Sequence, residues 1–271
     1  MNKWITRLGY LGLLIVIIFG ISIAQKQILT AKLNQSDTLI KEVSKEQINK
    51  NEEKKLDNEL EIKPLSLPDI IKATQNANEV KNRMVGVIQI NNIGLTLPIL
   101  KGTTNQNLAY GATTYKQDQQ MGKGNYILFG HHMRNESLLF GSLGKIKIGT
   151  EIILSDLSNE YVYTVNEKKT IKDTDLNEAD ERGQSELTLI TCDTTGLTSK
   201  RWLVRGELTS VKKLLSKDKL VMGAKINKEN PIFSFKSTSG WKGLNVFLCV
   251  LFVLVIVLAI VNEIQQRRKG S

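Results

Sequence analysis

Apolar and polar positions fall into three regimes along this chain. Residues 8–24 and 244–261 are almost wholly apolar. Each run is close to the ~17–25 residues that cross a bilayer as a helix, so two transmembrane helices are expected. Residues 25–80 are different: acids and bases alternate from Lys41 to Lys63, and the sparse apolar positions Leu29, Leu33, Ile40 and Val43 recur at helical spacing. That pattern predicts a solvated, partly helical stalk, which Pro64 and Pro68 break. Beyond it, short apolar or alternating runs predict strands at 85–90, 95–100, 125–130, 151–156, 160–165, 187–192 and 201–210. Short helices are expected at 105–110, 138–146 and 173–180. Pro98 places its strand at a sheet edge. Many short strands with few helices predict a mostly β domain, either a closed barrel or a sandwich.

The organisation that follows is a short N-terminus (1–7), a first span (8–24), the stalk (25–80), a globular domain (81–211), a basic linker (212–243), a second span (244–261) and a basic tail (262–271). Ser22-Ile23-Ala24 fits a signal-peptidase site. The first run exceeds the ~7–15 apolar residues of a signal core, which favours an uncleaved anchor. Basic residues flank both spans on both sides, so charge alone does not orient them. Two spans do fix parity, with both termini on one side and the middle on the other.

Charge sharpens this picture. The formal net charge is +10, and residues 200–243 hold eleven Lys or Arg against three acids. Beside a membrane span, such a segment is expected either to contact anionic lipid headgroups, at about 1 kcal/mol per basic residue, or to remain a solvated linker. No nucleic-acid recognition module is evident, so nucleic acid is excluded as a partner.

Candidate chemistry lies at strand ends. Leu187-Thr188-Leu189-Ile190-Thr191-Cys192 reads as a buried strand ending in a thiol, and Arg201 opens the next strand after a turn of loop formers, Asp193-Thr194-Thr195-Gly196. Asn125-Tyr126-Ile127-Leu128-Phe129-Gly130 runs into His131 and His132, the only histidines in the chain. A lone cysteine is more often an inert core thiol. A cysteine, an arginine and a distant histidine, all at strand ends, instead suggest a nucleophile whose partners meet in the fold. An unperturbed Cys/His pair holds only about 1% as thiolate and imidazolium near neutral pH. A guanidinium beside the sulfur would raise that fraction. Cys249, inside the second apolar run, is expected to be passive, and no structural disulfide is expected.

Thr188-Leu189-Ile190-Thr191-Cys192 followed by Arg201 resembles the TLxTC…R signature of the sortases, cysteine transpeptidases of Gram-positive cell envelopes. Gly130-His131 followed by Leu139-Phe140-Gly141-Ser142-Leu143 is similar to their histidine segment. Val85 to Ile90, Leu97 to Gly102 and Asn107 to Ala112 resemble their opening blocks, in the same order. The resemblance implies an eight-stranded closed sortase barrel flanked by the two transmembrane helices. It also implies the placement of the barrel outside the cell membrane. By it, Cys192 is the nucleophile, His131 the acid that protonates the leaving amine, and Arg201 the electrostatic clamp, with Ile190 and Thr191 lining the substrate groove. Side chains alternate along a strand, so with His131 facing the site His132 is expected to point away. The implied partners are surface proteins with an LPxTG-type sorting signal, an amine of a cell-wall precursor, and membrane lipids.

The active-site blocks resemble class A sortases. The second span is a feature of pilin-polymerising class C enzymes, but the aromatic lid motif of that class is missing from residues 62–84. A Cys/His peptidase of the same fold that hydrolyses its thioester is an alternative. A wall-anchored surface protein is a further one, against which stands the absence of an LPxTG-like pentapeptide in residues 225–243. Asp173, Asp175, Glu178, Asp180 and Glu181 cluster in the loop where some class A sortases bind calcium. Calcium takes about six to eight oxygens, and the facing loop offers little beyond Asp118, so a solvated acidic loop without metal or other cofactor is expected.

Overall fold

The structure is a computed structural model that describes residues 14–24, 43–59, 62–65 and 81–214 apart from 137 and 197, together with residues 12, 40 and 78. The chain divides into two compact units, Met1–Ala31 with Phe235–Ser271, and Lys32–Ser234. In the first, residues 14–24 are helical and Leu14, Ile15, Ile17, Ile18, Phe19 and Ile21 are exposed. Among the described residues, no helix is long and apolar enough to cross a membrane. The expected second span at 244–261 and the tail at 262–271 lie outside the described residues, as does most of the linker at 212–243.

The second unit contains a closed eight-stranded barrel. Its strands are β1 (Met84–Ile90), β2 (Leu95–Leu100), β3 (Ala112–Thr114), β4 (Asn125–Phe129), β5 (Glu151–Ser155), β6 (Asn159–Lys172), β7 (Glu186–Cys192) and β8 (Lys200–Lys213). Neighbours run in the order β1-β2-β3-β4-β7-β8-β6-β5, and β5 pairs back onto β1 through Val87↔Ser155 and Ile88↔Leu154. Closure leaves no bare edge. Alternate residues of each strand fill the interior: Ile88, Ile99, Leu128, Leu187, Leu189 and Val204 are all buried in one cluster.

Several expectations change. β3 is only three residues long, too short for any period to register. β6 continues seven residues past 165 because its polar outer half pairs with β8 as far as Lys172↔Lys200. The helix expected at 105–110 forms as α-helix Asn105–Tyr110. Residues 138–146 and 173–180 form only short 3-10 turns, at Leu143–Lys145 and Leu176–Ala179. Pro98 does not mark an edge, because β2 pairs with both β1 and β3. The ladder to β3 begins at Ile99, so that side asks no N–H of Pro98.

The stalk also departs from expectation. Ser44 caps an α-helix over Lys45–Glu52 by accepting from the Gln47 N–H. Ile40, Val43 and Ile48 are buried against Met84, Val87, Leu100, Ala109 and Tyr110. Asn51, fully buried, donates through Nδ2 to the carbonyls of Lys81 (3.0 Å) and Met84 (2.8 Å). The chain then runs along the loop after β2: the Thr103 N–H donates to Asn58 Oδ1 (2.7 Å), the Glu59 N–H to the Thr103 carbonyl (2.9 Å), and the Lys63 N–H to Asn105 Oδ1 (2.8 Å). A Cβ on Gly102, whose φ is +89°, would sit 2.2 Å from the Asp57 carbonyl oxygen. The described residues 40, 43–59 and 62–65 thus form an arm on the barrel and not a solvated spacer.

Removing that arm exposes the apolar surface it covers. At roughly 1.5–3 kcal/mol per buried aliphatic side chain, taken as an upper estimate, Ile40, Val43 and Ile48 together contribute on the order of 5 kcal/mol. A fragment beginning at residue 81 is expected to unfold at clearly lower denaturant than one beginning at residue 32. Equal urea midpoints would show that the arm contributes nothing to stability.

Candidate active site

Strand directions bring the sequence candidates to one rim. β4 and β7 run parallel, with Phe129 beside Ile190, so their carboxy ends emerge together. β8 is antiparallel to β7, so its first residues lie at that same rim. Cys192 and Arg201 are direct cross-strand partners, and such partners project to the same face. Ile190 and Leu203 form the next pair on this outer face. The Gly130 N–H donates to the Ile190 carbonyl (3.1 Å) and the Phe140 N–H to the His131 carbonyl (3.0 Å), which holds His131 on both sides. A Cβ on Gly130 would meet the Phe140 ring at 2.6 Å, so that closeness requires glycine.

These residues line a cavity of about 670 Å³ that includes His131, His132, Cys192, Arg201, Ile190 and Thr191. The structure therefore brings every sequence candidate together, with two revisions. His132 does not point away from the site, because β4 ends at Phe129 and strand alternation ends with it. Its imidazole is hydrogen-bonded to the Cys192 backbone, and burial pushes its pKa down against the pull of Asp193 and Glu136. Thr191 has the parity opposite to Cys192, and its hydroxyl is fully buried without a hydrogen-bond partner. Of the two residues expected to line the groove, only Ile190 shares the face of the thiol.

The electrostatics are balanced rather than strongly activating. Burial pushes the Cys192 thiol up, the Arg201 guanidinium pulls it down, and Asp193 and Asp173 raise it further. Arg201 is itself fixed: Nη1 donates to the Thr198 and Lys200 carbonyls, and Nη2 lies 3.6 Å from the Asp173 carboxylate. The consequence has a definite sign. Alkylation of Cys192 by iodoacetamide should rise with pH to a midpoint above that of an ordinary thiol, because only the thiolate reacts. Arg201→Met should move the midpoint higher still, and Asp193→Asn lower. A midpoint below the ordinary thiol value would show that the cation outweighs burial.

The acidic segment after β6 is largely solvent-exposed, as expected, and also engages neighbouring groups. Glu178 pairs with Lys169 (2.6 Å), Asp180 with Lys116 (3.8 Å), and Glu181 accepts the Asn125 N–H (3.0 Å). Among the described residues, no three of His, Cys, Asp and Glu converge as a metal's donor set. Sequence reading missed two features. Ile62, Lys63, Pro64 and Leu65 of the arm form one wall of the cavity, which no local pattern encodes. Arg205, on the same face of β8 as Arg201, is buried in an ion cluster with Glu167 and Glu186. A charged residue inside the apolar stretch Leu203-Val204 was the available signal for the second.

A closed mixed barrel with a thiol, an imidazole and a guanidinium on one rim is the arrangement of a cysteine transpeptidase. The chain belongs to the sortase family: residues 88–209 match the sortase domain. It is 45% identical over 168 residues to sortase A of Listeria monocytogenes, covering 62% of this chain and 75% of that relative. To sortase A of Bacillus anthracis it is 39% identical over 145 residues, 54% of this chain and 69% of the relative. The structure of sortase C-3 from Streptococcus pneumoniae, 15% identical, superimposes with a TM-score of 0.53 over 71% of this chain and 98% of that one, and so shares the fold. The protein is a sortase, a cysteine transpeptidase.

Proposed function

We propose that the protein works as a class A-type sortase with Cys192 as nucleophile, His131 as proton donor and acceptor, and Arg201 as electrostatic clamp. The observation that carries this reading is the direct cross-strand pairing of Cys192 with Arg201 at the rim where His131 emerges. The Cys192 thiolate attacks the carbonyl carbon of the threonine in the sorting signal. Arg201 stabilises the oxyanion. His131 gives a proton to the departing glycine nitrogen, the C–N bond breaks, and a thioester remains on Cys192. An incoming amine then attacks the thioester carbon and loses a proton to His131, the C–S bond breaks, and the thiolate and imidazolium are restored. Ile190 forms the groove floor beside the thiol.

Detergent-solubilised full chain should cleave a fluorogenic LPxTG peptide, and turnover should rise when oligoglycine is added, with the ligated product visible by mass spectrometry. A product that is only the free acid, whatever amine is supplied, would overturn amine transfer.

The apolar runs at 8–24 and 244–261 further support a multi-pass topology with the barrel outside, and a basic linker at 212–243 lying near lipid headgroups. Reporters fused at either terminus should be cytoplasmic, and one inserted near residue 215 should be external. A carboxy-terminal reporter on the outer side would leave the first span as the sole anchor.

A further inference from the structure

The outer face of the β7–β8 pair continues past the catalytic thiol as a row of cross-strand partners: Cys192 with Arg201, Ile190 with Leu203, Thr188 with Arg205. At about 3.3 Å per residue, Ile190 lies roughly 7 Å and Thr188 roughly 13 Å along the strand from Cys192. A peptide bound in extended form beside β7 would meet this row in order. Yet Arg205, which its parity aims onto that face, is only 1% exposed. What covers it is the Leu176–Ala179 turn.

That turn is held through its backbone carbonyls. Arg205 Nη2 donates to the Glu178 carbonyl, while Nη1 pairs with Glu167. Asn125 Nδ2 donates to the Ala179 carbonyl (2.6 Å), and Asn125 Oδ1 accepts from the Thr188 hydroxyl (2.8 Å). Ala179 in turn packs against Ile127 and Ile190. Ile190 therefore has two roles, as the last floor residue of the cavity around Cys192 and the first residue beneath the roof. We propose that Arg205 is a positioning residue for sorting-signal binding: by clamping the Leu176–Ala179 turn over Thr188, it sets where the groove ends, beyond Ile190. The proposal rests on the sortase reading above for the identity of the peptide.

The alternative, that the cluster only stabilises the barrel, makes a different prediction. Arg205→Met alone removes one of the two cations beside the fully buried Glu186, leaving it to Arg182 (2.5 Å), and can still weaken folding. The double variant Arg205→Met/Glu186→Met replaces the two buried charges with apolar groups of similar reach, leaves the half-exposed Arg182 beside Glu167 (3.7 Å), and still loses the bond to the Glu178 carbonyl. In the full-length protein, this variant should keep its melting temperature and its rate of Cys192 alkylation by iodoacetamide. KM for the fluorogenic LPxTG peptide should rise at least about tenfold, with kcat changed by less than about threefold. Amides 177–181 should exchange with deuterium at least about tenfold faster than in wild type. Arg205→Lys, which keeps the charge without the fork, should fall between the two.

A folded double variant with wild-type KM and wild-type protection of those amides overturns the proposal. So does a variant whose kcat falls while KM stays fixed. If the wild-type chain cleaves no LPxTG peptide, the sortase reading fails, and unchanged amide exchange in the double variant would independently refute the positioning role.

Discussion

Cys192→Ala is expected to eliminate both peptide cleavage and the covalent thioacyl adduct. Nothing else on the rim can replace the sulfur. Among the described residues Cys192 is the free cysteine, and the Thr191 hydroxyl beside it is buried and turned to the other face. Cys192→Ser should be almost as inactive, because a hydroxyl, unlike a thiol, does not ionise near neutral pH even beside a guanidinium. Arg201→Ala should lower turnover at least about a hundredfold, the scale of losing one oxyanion donor, while leaving some adduct. Mass spectrometry of wild type quenched in acid should show the adduct, and hydroxylamine should release it. An adduct in Cys192→Ala would remove Cys192 from the mechanism.

The barrel was legible from the sequence where a strand alternates or is apolar throughout. β1, β4 and β7 follow Val85–Ile90, Asn125–Phe129 and Leu187–Cys192 closely, because buried strands of a closed sheet leave continuous apolar runs. That the candidates share one rim was legible for the same reason: each sits at the end of a strand run. What failed had long-range causes. Thr191 lines the cavity as expected, but Leu187 to Cys192 does not reveal that its hydroxyl is buried without a partner, since inward and outward are defined by the partner strands. His132 was mispointed because alternation was carried one residue too far past Phe129. The arm was read as stalk because Ile40, Val43 and Ile48 are few among charges, and their burial depends on a surface formed more than thirty residues later by Met84, Val87 and Tyr110. The ion pairs that the exposed acids at 173–181 make were not legible because their cations, Lys116, Lys169 and Arg201, come from three separate elements.

His131→Ala should lose turnover by roughly 10²–10⁴-fold, the usual contribution of a positioned general acid–base, with most of the loss in kcat. Gly130 is tied to β7 by its N–H on the Ile190 carbonyl, and the His131 carbonyl is tied to the Phe140 N–H. His131 therefore follows directly on the β4 end and lines the same cavity as the β7 thiol, within which the proposed proton transfer takes place. His132 shares the cavity but is engaged differently: its ring bonds the Cys192 backbone, and burial favours its neutral form. Removing it should cost about 1 kcal/mol, the net worth of one hydrogen bond, and hence about fivefold in rate. The pH profile separates the two roles. His132→Ala should keep both limbs of the wild-type kcat/KM profile at reduced height, whereas the residual activity of His131→Ala should lose the limb that reports the imidazole. If His132→Ala were inactive and His131→Ala retained its profile, the proton-transfer role would pass to His132, and its bond to the Cys192 backbone would have to break during turnover.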